Sequence, residues 1–145
     1  MDYQAIDAVV NIWTSEALSH RPDWTDEFFV GKVKGKHDSS GISLEEMLEG
    51  MDAAGIELAF LVAAKSGRVG LPGCYHMPAE VVSRAVDKYP NRFLGLIGID
   101  PYTGMEGVRA LEDAVKNMGF IGAHLYPHWF ELAPNHAKYY PFYSK

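Results

Sequence analysis

Two of the six histidines, His124 and His128, lie four residues apart, and imidazole titrates near neutral pH and can carry a proton or bind a metal. They lie in Gly119-Phe-Ile-Gly-Ala-His-Leu-Tyr-Pro-His-Trp129. Residues Phe120 to Tyr126 are apolar apart from His124, which predicts a buried strand, and polarity appears abruptly after Pro127. In parallel α/β proteins the C-terminal ends of strands are where sites are built. His128, just past that end, is placed to act as a general acid or base or to bind substrate, with an ordinary loop histidine as the competing reading. His124 points either into the site or into the core, where a lone histidine is usually hydrogen-bonded. A pair spanning a strand-to-loop junction is not a helical HxxxH pair, so these two define no metal site.

Other candidates surround them. Asn11, at the end of the first apolar run, can hydrogen-bond a substrate, and Asp7 and Val9 share its face by the period of two. Trp13, Tyr126 and Trp129 can wall an apolar or aromatic pocket, or simply plug the end of the fold. Arg68 and His76 belong to Lys65-Ser-Gly-Arg-Val-Gly-Leu-Pro-Gly-Cys-Tyr-His76, where a cation can bind a substrate carboxylate. Solvated loop charges are the plainer reading there. The loop's glycines match neither a P-loop nor a dinucleotide fingerprint. Cys74 has no partnered base nearby in sequence and reads as inert.

Elements that would position these groups follow in order. Ala5 to Trp13 reads as a first strand buried on both faces. Thr14 to Ile42 has no sustained period and reads as a long loop with one short helix at most. Ser43-Leu-Glu-Glu46 is a capping-box pattern, and Leu44, Met47, Leu48 and Met51 predict a helix to about Ala54, stopped by Gly55. Ile56–Ala63 is the second strand. Pro78 suits a first helical residue, with Val81, Val82, Ala85, Val86 and Tyr89 as one stripe. Arg92 to Ile99 is the third strand, Met105 to Met118 the third helix, and Pro141 to Lys145 the first turn of another. The alternation predicts an α/β fold of parallel strands joined by right-handed crossovers, with long loops after strands and short ones after helices.

Composition narrows the function. The chain has 145 residues, is 48% hydrophobic and carries a formal charge of -6, enough for one domain over 1–145 with a real core and unsuited to nucleic acid. One cysteine excludes an internal disulfide, no apolar run is long enough to span a bilayer, and the N-terminus lacks a signal-peptide pattern. These features read as a cytoplasmic protein acting on a small-molecule substrate.

Ile6-Asp7, Asn91-Arg-Phe-Leu-Gly-Leu-Ile-Gly-Ile-Asp-Pro101 and Leu111 to Pro127 together resemble the amidohydrolase-related family of metal-dependent hydrolases that includes aminocarboxymuconate semialdehyde decarboxylase. The resemblance implies a TIM barrel of which only the first four strands are present, roughly half of the ~250 residues a full barrel takes. It also implies hydrolysis of a small carboxylated or cyclic substrate, or non-oxidative decarboxylation, in which a divalent ion, Zn or Mn, activates water or holds the substrate. The family's first strand normally ends in a His-x-His pair, and here those positions are Val9 and Asn11. Metal is therefore expected to bind weakly or not at all, which makes metal-independent hydrolysis the natural variant. A non-catalytic half-barrel that pairs as a homodimer, and a fragment inactive alone, are the other expectations, since strands one and four would be exposed edges. Replacing Val9→His together with Asn11→His should raise zinc or manganese affinity, measured by metal titration of the full chain. No gain in bound metal would refute the alignment of strand one.

Overall fold

The computed structural model describes residues 5–33 and 40–145, so most of the Gly35 to Gly41 stretch lies outside the described residues. Four strands, β1 (Ala5–Val10), β2 (Ile56–Ala63), β5 (Phe93–Gly98) and β6 (Phe120–His124), form one sheet in the order β1-β2-β5-β6. All three pairings are parallel. Each sequential pair is bridged by a helix: α3 (Leu44–Ala53), α4 (Ala79–Lys88) and α5 (Met105–Asn117). A two-stranded antiparallel ribbon, β3 (Lys65–Ser66) with β4 (Tyr75–His76), closes the glycine-rich loop. The periodicity of that loop gave no sign of the ribbon.

Local chemistry sets the helix limits. The capping box of α3 forms as its sequence predicts: Ser43 Oγ accepts from Glu46 N (3.1 Å), and Glu46 Oε2 accepts from Ser43 N (2.7 Å). The helix ends at Ala54, and Gly55 turns the chain into β2 with φ of 71°. Pro78 caps α4 from just outside its first turn.

Alternate positions of the strands face these helices. Ala59, Leu61, Ala63, Phe93 and Ile97 pack with Val82, Val86, Val108, Leu111 and Ala114 into one buried cluster. Phe120 lies directly over Gly95, where a Cβ would come within 2.8 Å of its ring. The intervening positions, including Leu58, Phe60, Leu94 and Leu96, form the opposite face and are only half-buried.

Two expectations fail at the margins of the sheet. Neither β1 nor β6 is buried on both faces: Ile6 is 58% exposed, Val9 53% and Ile121 50%. Each is an edge strand with a neighbour on one side only, so the apolar residues chosen for a two-sided interior meet solvent. The shared face of Asp7, Val9 and Asn11 is also interrupted. Val9 N–H donates to Asp7 Oδ1 (3.2 Å), and the register against β2 slips between Asp7 and Val10. This bulge breaks the period of two.

The segment after β1 is more ordered than a loop. It holds α1 (Ser15–Ser19), α2 (Trp24–Glu27) and a π-helical turn over Phe28–Val33. Thr14 Oγ1 caps α1 by accepting from Ala17 N (3.2 Å), and Glu16 ion-pairs with Arg84 of α4. Gly41, at φ of 75°, lets the returning chain pass the backbone of Trp13 to Ser15, where a Cβ would lie 2.7 Å from Ser15 N. Among the described residues no helix is long and apolar enough to cross a membrane.

Gly98 gives the sharpest packing test. A Cβ there would sit 2.4 Å from Ala63 O and 2.6 Å from Lys65 N, both backbone atoms that cannot rotate away. Gly98→Ala should cost about 3 kcal/mol, read as a lower denaturation midpoint at unchanged slope.

Candidate functional site

A cavity of about 200 Å³ opens at the C-terminal ends of β1 and β2, beside the segment that leaves β6. Its lining includes Asn11, Arg21, Trp24, Tyr75, Tyr126 and Trp129. Strand ends supply Asn11 and Ala64, the α1–α2 segment supplies Arg21 and Trp24, the ribbon supplies Ser66 and Tyr75, and the chain after β6 supplies Tyr126 and Trp129. Four separate stretches thus converge on one space.

The walls are aromatic. Trp24 and Trp129 rings lie 5.8 Å apart at 34°. Tyr126 packs edge-on to His124 at 4.2 Å and to His128 at 6.0 Å, and His128 lies 6.0 Å from Trp129. Residues Pro127–Phe130 wind into a 3-10 turn in which Trp129 N–H donates to Tyr126 O (3.0 Å), fixing these rings in succession. Opposite them, the Arg21 guanidinium lies 3.9 Å over the Trp13 ring and 5.7 Å from the Tyr75 ring centre. Such stacking holds the guanidinium plane.

Burial dominates the electrostatics. It lowers the Arg21 pKa, against which Tyr75 and, least, Asp26 act to raise it. It raises the Tyr75 phenol, opposed by Arg21, and raises Tyr126. It lowers His124, whose Nδ1 is buried with no hydrogen-bond partner among the described residues, and Trp24 Nε1 is likewise a buried donor with no acceptor among them. Among the described residues, no aspartate or glutamate lines the cavity, and Arg21 is the charged side chain in its lining.

The structure brings Asn11, Tyr126 and Trp129 together around this space and sets Trp13 behind Arg21. His124 stands against Tyr126, and His128 is exposed on the turn beside it. Arg68 and His76 are elsewhere. Arg68 is exposed and lies 4.4 Å over the Tyr102 ring, and His76 Nε2 is 3.0 Å from Gly67 O within the ribbon. His76 faces a different cleft, beside Lys65, Ala110 and Met118. The clefts of about 470 and 560 Å³ lie against α3–α4 and α5–β6, and among the described residues neither is lined by an imidazole. Sequence reasoning missed Arg21, Trp24 and Tyr75. The signal available for the first two was the unusual length of the connection after β1.

The donors expected of a metal centre do not fit. Val9 has no ligand atom, Asn11 offers a neutral oxygen, and among the described residues no three His, Cys, Asp or Glu side chains are grouped to hold an ion. A cation such as Arg21 beside Asn11 adds repulsion.

Parallel strands alternating with helices, with a cavity at the strand C-termini, define one side of a (β/α) barrel. The chain belongs to the amidohydrolase family, whose profile matches residues 6–145. No curated protein sequence matches it significantly. Among solved structures it is similar to 5-carboxyvanillate decarboxylase from Novosphingobium aromaticivorans, crystallised with manganese and 3-methoxy-4-hydroxy-5-nitrobenzoic acid (TM-score 0.69, 17% identity, 98% of this chain and 47% of that one). It is also similar to 4-oxalomesaconate hydratase from Rhodopseudomonas palustris (0.57, 24%, 96% and 48%). A TIM-barrel protein from Bordetella bronchiseptica matches at 0.62 and 19%, over 98% and 51%. The chain therefore spans about half the length of the structures it matches, and its four strands are four of the strands of a TIM barrel.

His124 supplies a pH test. Its lowered folded-state pKa means that the unfolded chain binds a proton first, so its contribution to stability is complete above about pH 6.5 and is lost as pH falls below it. Urea denaturation should show stability dropping between pH 7 and 5, with the drop reduced in His124→Gln. An identical pH profile in the variant would remove His124 as its source.

Proposed function

We propose that the chain supplies one half of the active site of a hydrolase that cleaves a small carboxylated or cyclic substrate at a C–N, lactone or C–C bond. The observation that carries this reading is the convergence of Asn11, Arg21, Tyr126 and Trp129 on one strand-end cavity, with His128 on the adjoining turn. The aromatic walls would hold the apolar body of the substrate and exclude water from it. Asn11 and the Tyr75 hydroxyl would hydrogen-bond its polar end. His128, exposed beside the cavity mouth, would take a proton from the attacking water and return it to the leaving group. No step runs through a metal, since Val9 and Asn11 replace the usual pair. Family membership and the half-length match support the frame in which this half meets a complementary one.

Decarboxylation of an aromatic acid is the second reading, favoured by the similarity to 5-carboxyvanillate decarboxylase. There His128 would deliver a proton to the ring carbon as carbon dioxide leaves. A third reading, a homodimer that closes the barrel without catalysis, is favoured by the exposed edges at Ile6, Val9 and Ile121.

Lactones, amides and hydroxybenzoates offered to the full chain, with acid release and carbon dioxide followed separately, distinguish the first two readings. His128→Asn should lower turnover by roughly 100-fold while leaving the melting temperature unchanged, since the residue is exposed. Full turnover in that variant would place the proton shuttle elsewhere. Native mass spectrometry of the same sample tests the third reading: a paired 16.1 kDa chain with no turnover of any substrate would favour it.

A further inference from the structure

We infer that Lys65 is a carbonyl-binding lysine: its amine, with His76 as proton shuttle, condenses with a small neutral aldehyde in the cleft between α4 and α5. That cleft is separate from the strand-end cavity, so the inference stands apart from the reading of the substrate site.

Three observations converge. First, the β3–β4 ribbon pairs Lys65 directly with His76, which brings their Cβ atoms to about 5 Å on one face. Both side chains line a cleft of about 320 Å³ that also takes in Ile97, Ala114 and Met118. Second, the tautomer of His76 is set by its partner. Nε2 lies 3.0 Å from Gly67 O, and a carbonyl only accepts, so the proton of the neutral ring is on Nε2. Nδ1 then carries the lone pair that can take a proton. Third, Lys65 is half-buried and, among the described residues, makes no ion pair, whereas Lys88, Lys116 and Lys145 are each tied to a glutamate. Burial lowers its pKa, against which Asp100 and then Glu106 act to raise it. A desolvated amine at the wall of a cleft is a nucleophile.

The reaction is a condensation in which nothing is oxidised or reduced. The Lys65 Nζ lone pair attacks the carbonyl carbon, and the C–N bond forms as the C=O π pair moves to oxygen. Nζ then gives two protons in turn, through His76 Nδ1, to that oxygen, which leaves as water with the C–O bonding pair. The imine that remains takes a proton from solvent to become an iminium cation.

Charge selects the carbonyl compound. Glu80 and Asp113 line the cleft with His76, and Asp100 and Glu106 act on Lys65 from the end of β5 and the first turn of α5. These acidic groups disfavour an anionic aldehyde and favour the iminium. The volume admits a chain of a few carbons and not a cofactor-sized molecule.

The test incubates the full chain with propanal and sodium cyanoborohydride, which reduces the imine to a stable amine, and reads the rate at each lysine by peptide mass spectrometry. At pH 7 Lys65 should be labelled at least about fivefold faster than Lys116, although the Lys116 side chain is 66% exposed. Its rate should reach half-maximum at a lower pH than that of Lys116. His76→Gln, which keeps a donor for Gly67 O and has no basic nitrogen, should slow Lys65 by about tenfold and leave Lys116 unchanged. Glyoxylate, an anionic aldehyde, should favour Lys116 over Lys65 relative to propanal. Labelling of Lys65 no faster than of Lys116, a half-maximum at the same or higher pH, an unchanged Lys65 rate in His76→Gln, or glyoxylate favouring Lys65 would overturn the inference. The first two comparisons are made within the unaltered chain, so a destabilised His76→Gln leaves the test intact.

Discussion

A parallel sheet has to be covered on both faces, because βα connections place its helices against strands whose side chains are apolar on either side. Here α3, α4 and α5 cover one face, where Ala59, Leu61, Phe93 and Ile97 are buried. The other face, with Leu58, Phe60, Leu94 and Leu96, is half-buried. That asymmetry governs the rest of the molecule. It puts Ile6, Val9 and Ile121 at two exposed edges, and it makes the strand C-termini the one rim where polar groups from several connections can meet. A match to about half the length of known barrels is the same fact seen from outside.

Most of the helix-side architecture was legible in the sequence, for reasons that are local. The stripe Val81, Val82, Ala85, Val86 repeats at helical spacing and packs as that spacing requires, and the Ser43 and Glu46 cap depends only on residues three apart. Burial of the edge strands was not legible. Composition reports what a strand is suited to contact and not whether a neighbour is present, so β1 and β6 read like β2. The bulge at Asp7 was also hidden, since the carboxylate that accepts from Val9 N–H looks in sequence like any polar residue in a strand.

The site was legible where it depends on strand ends. Asn11 and Tyr126 close to strand termini, and Trp129 just beyond, follow from knowing where βα connections begin. Arg21 and Trp24 come from a segment with no sustained hydrophobic period, where α1 and α2 are of five and four residues and owe their geometry to the Thr14 cap, the Glu16 to Arg84 ion pair and the passage at Gly41. Helices that short are set by tertiary contacts rather than propensity. Conversely, Arg68 and His76 sat in a glycine-rich loop where a cation could bind a substrate carboxylate. Those glycines instead turn the ribbon, at φ of 75° for Gly67 and 86° for Gly73, and the ribbon carries both side chains away from the strand ends.

The change at positions 9 and 11 and the presence of Arg21 bear on each other. An imidazole pair at the end of β1 would gather a divalent cation, and a guanidinium fixed on Trp13 beside it would oppose that charge in a site where burial weakens screening. With valine and asparagine there, the conflict disappears: the strand end is neutral and His124 is held toward its uncharged form by burial. Among the described residues, this half of the barrel groups no three side chains that would hold an ion.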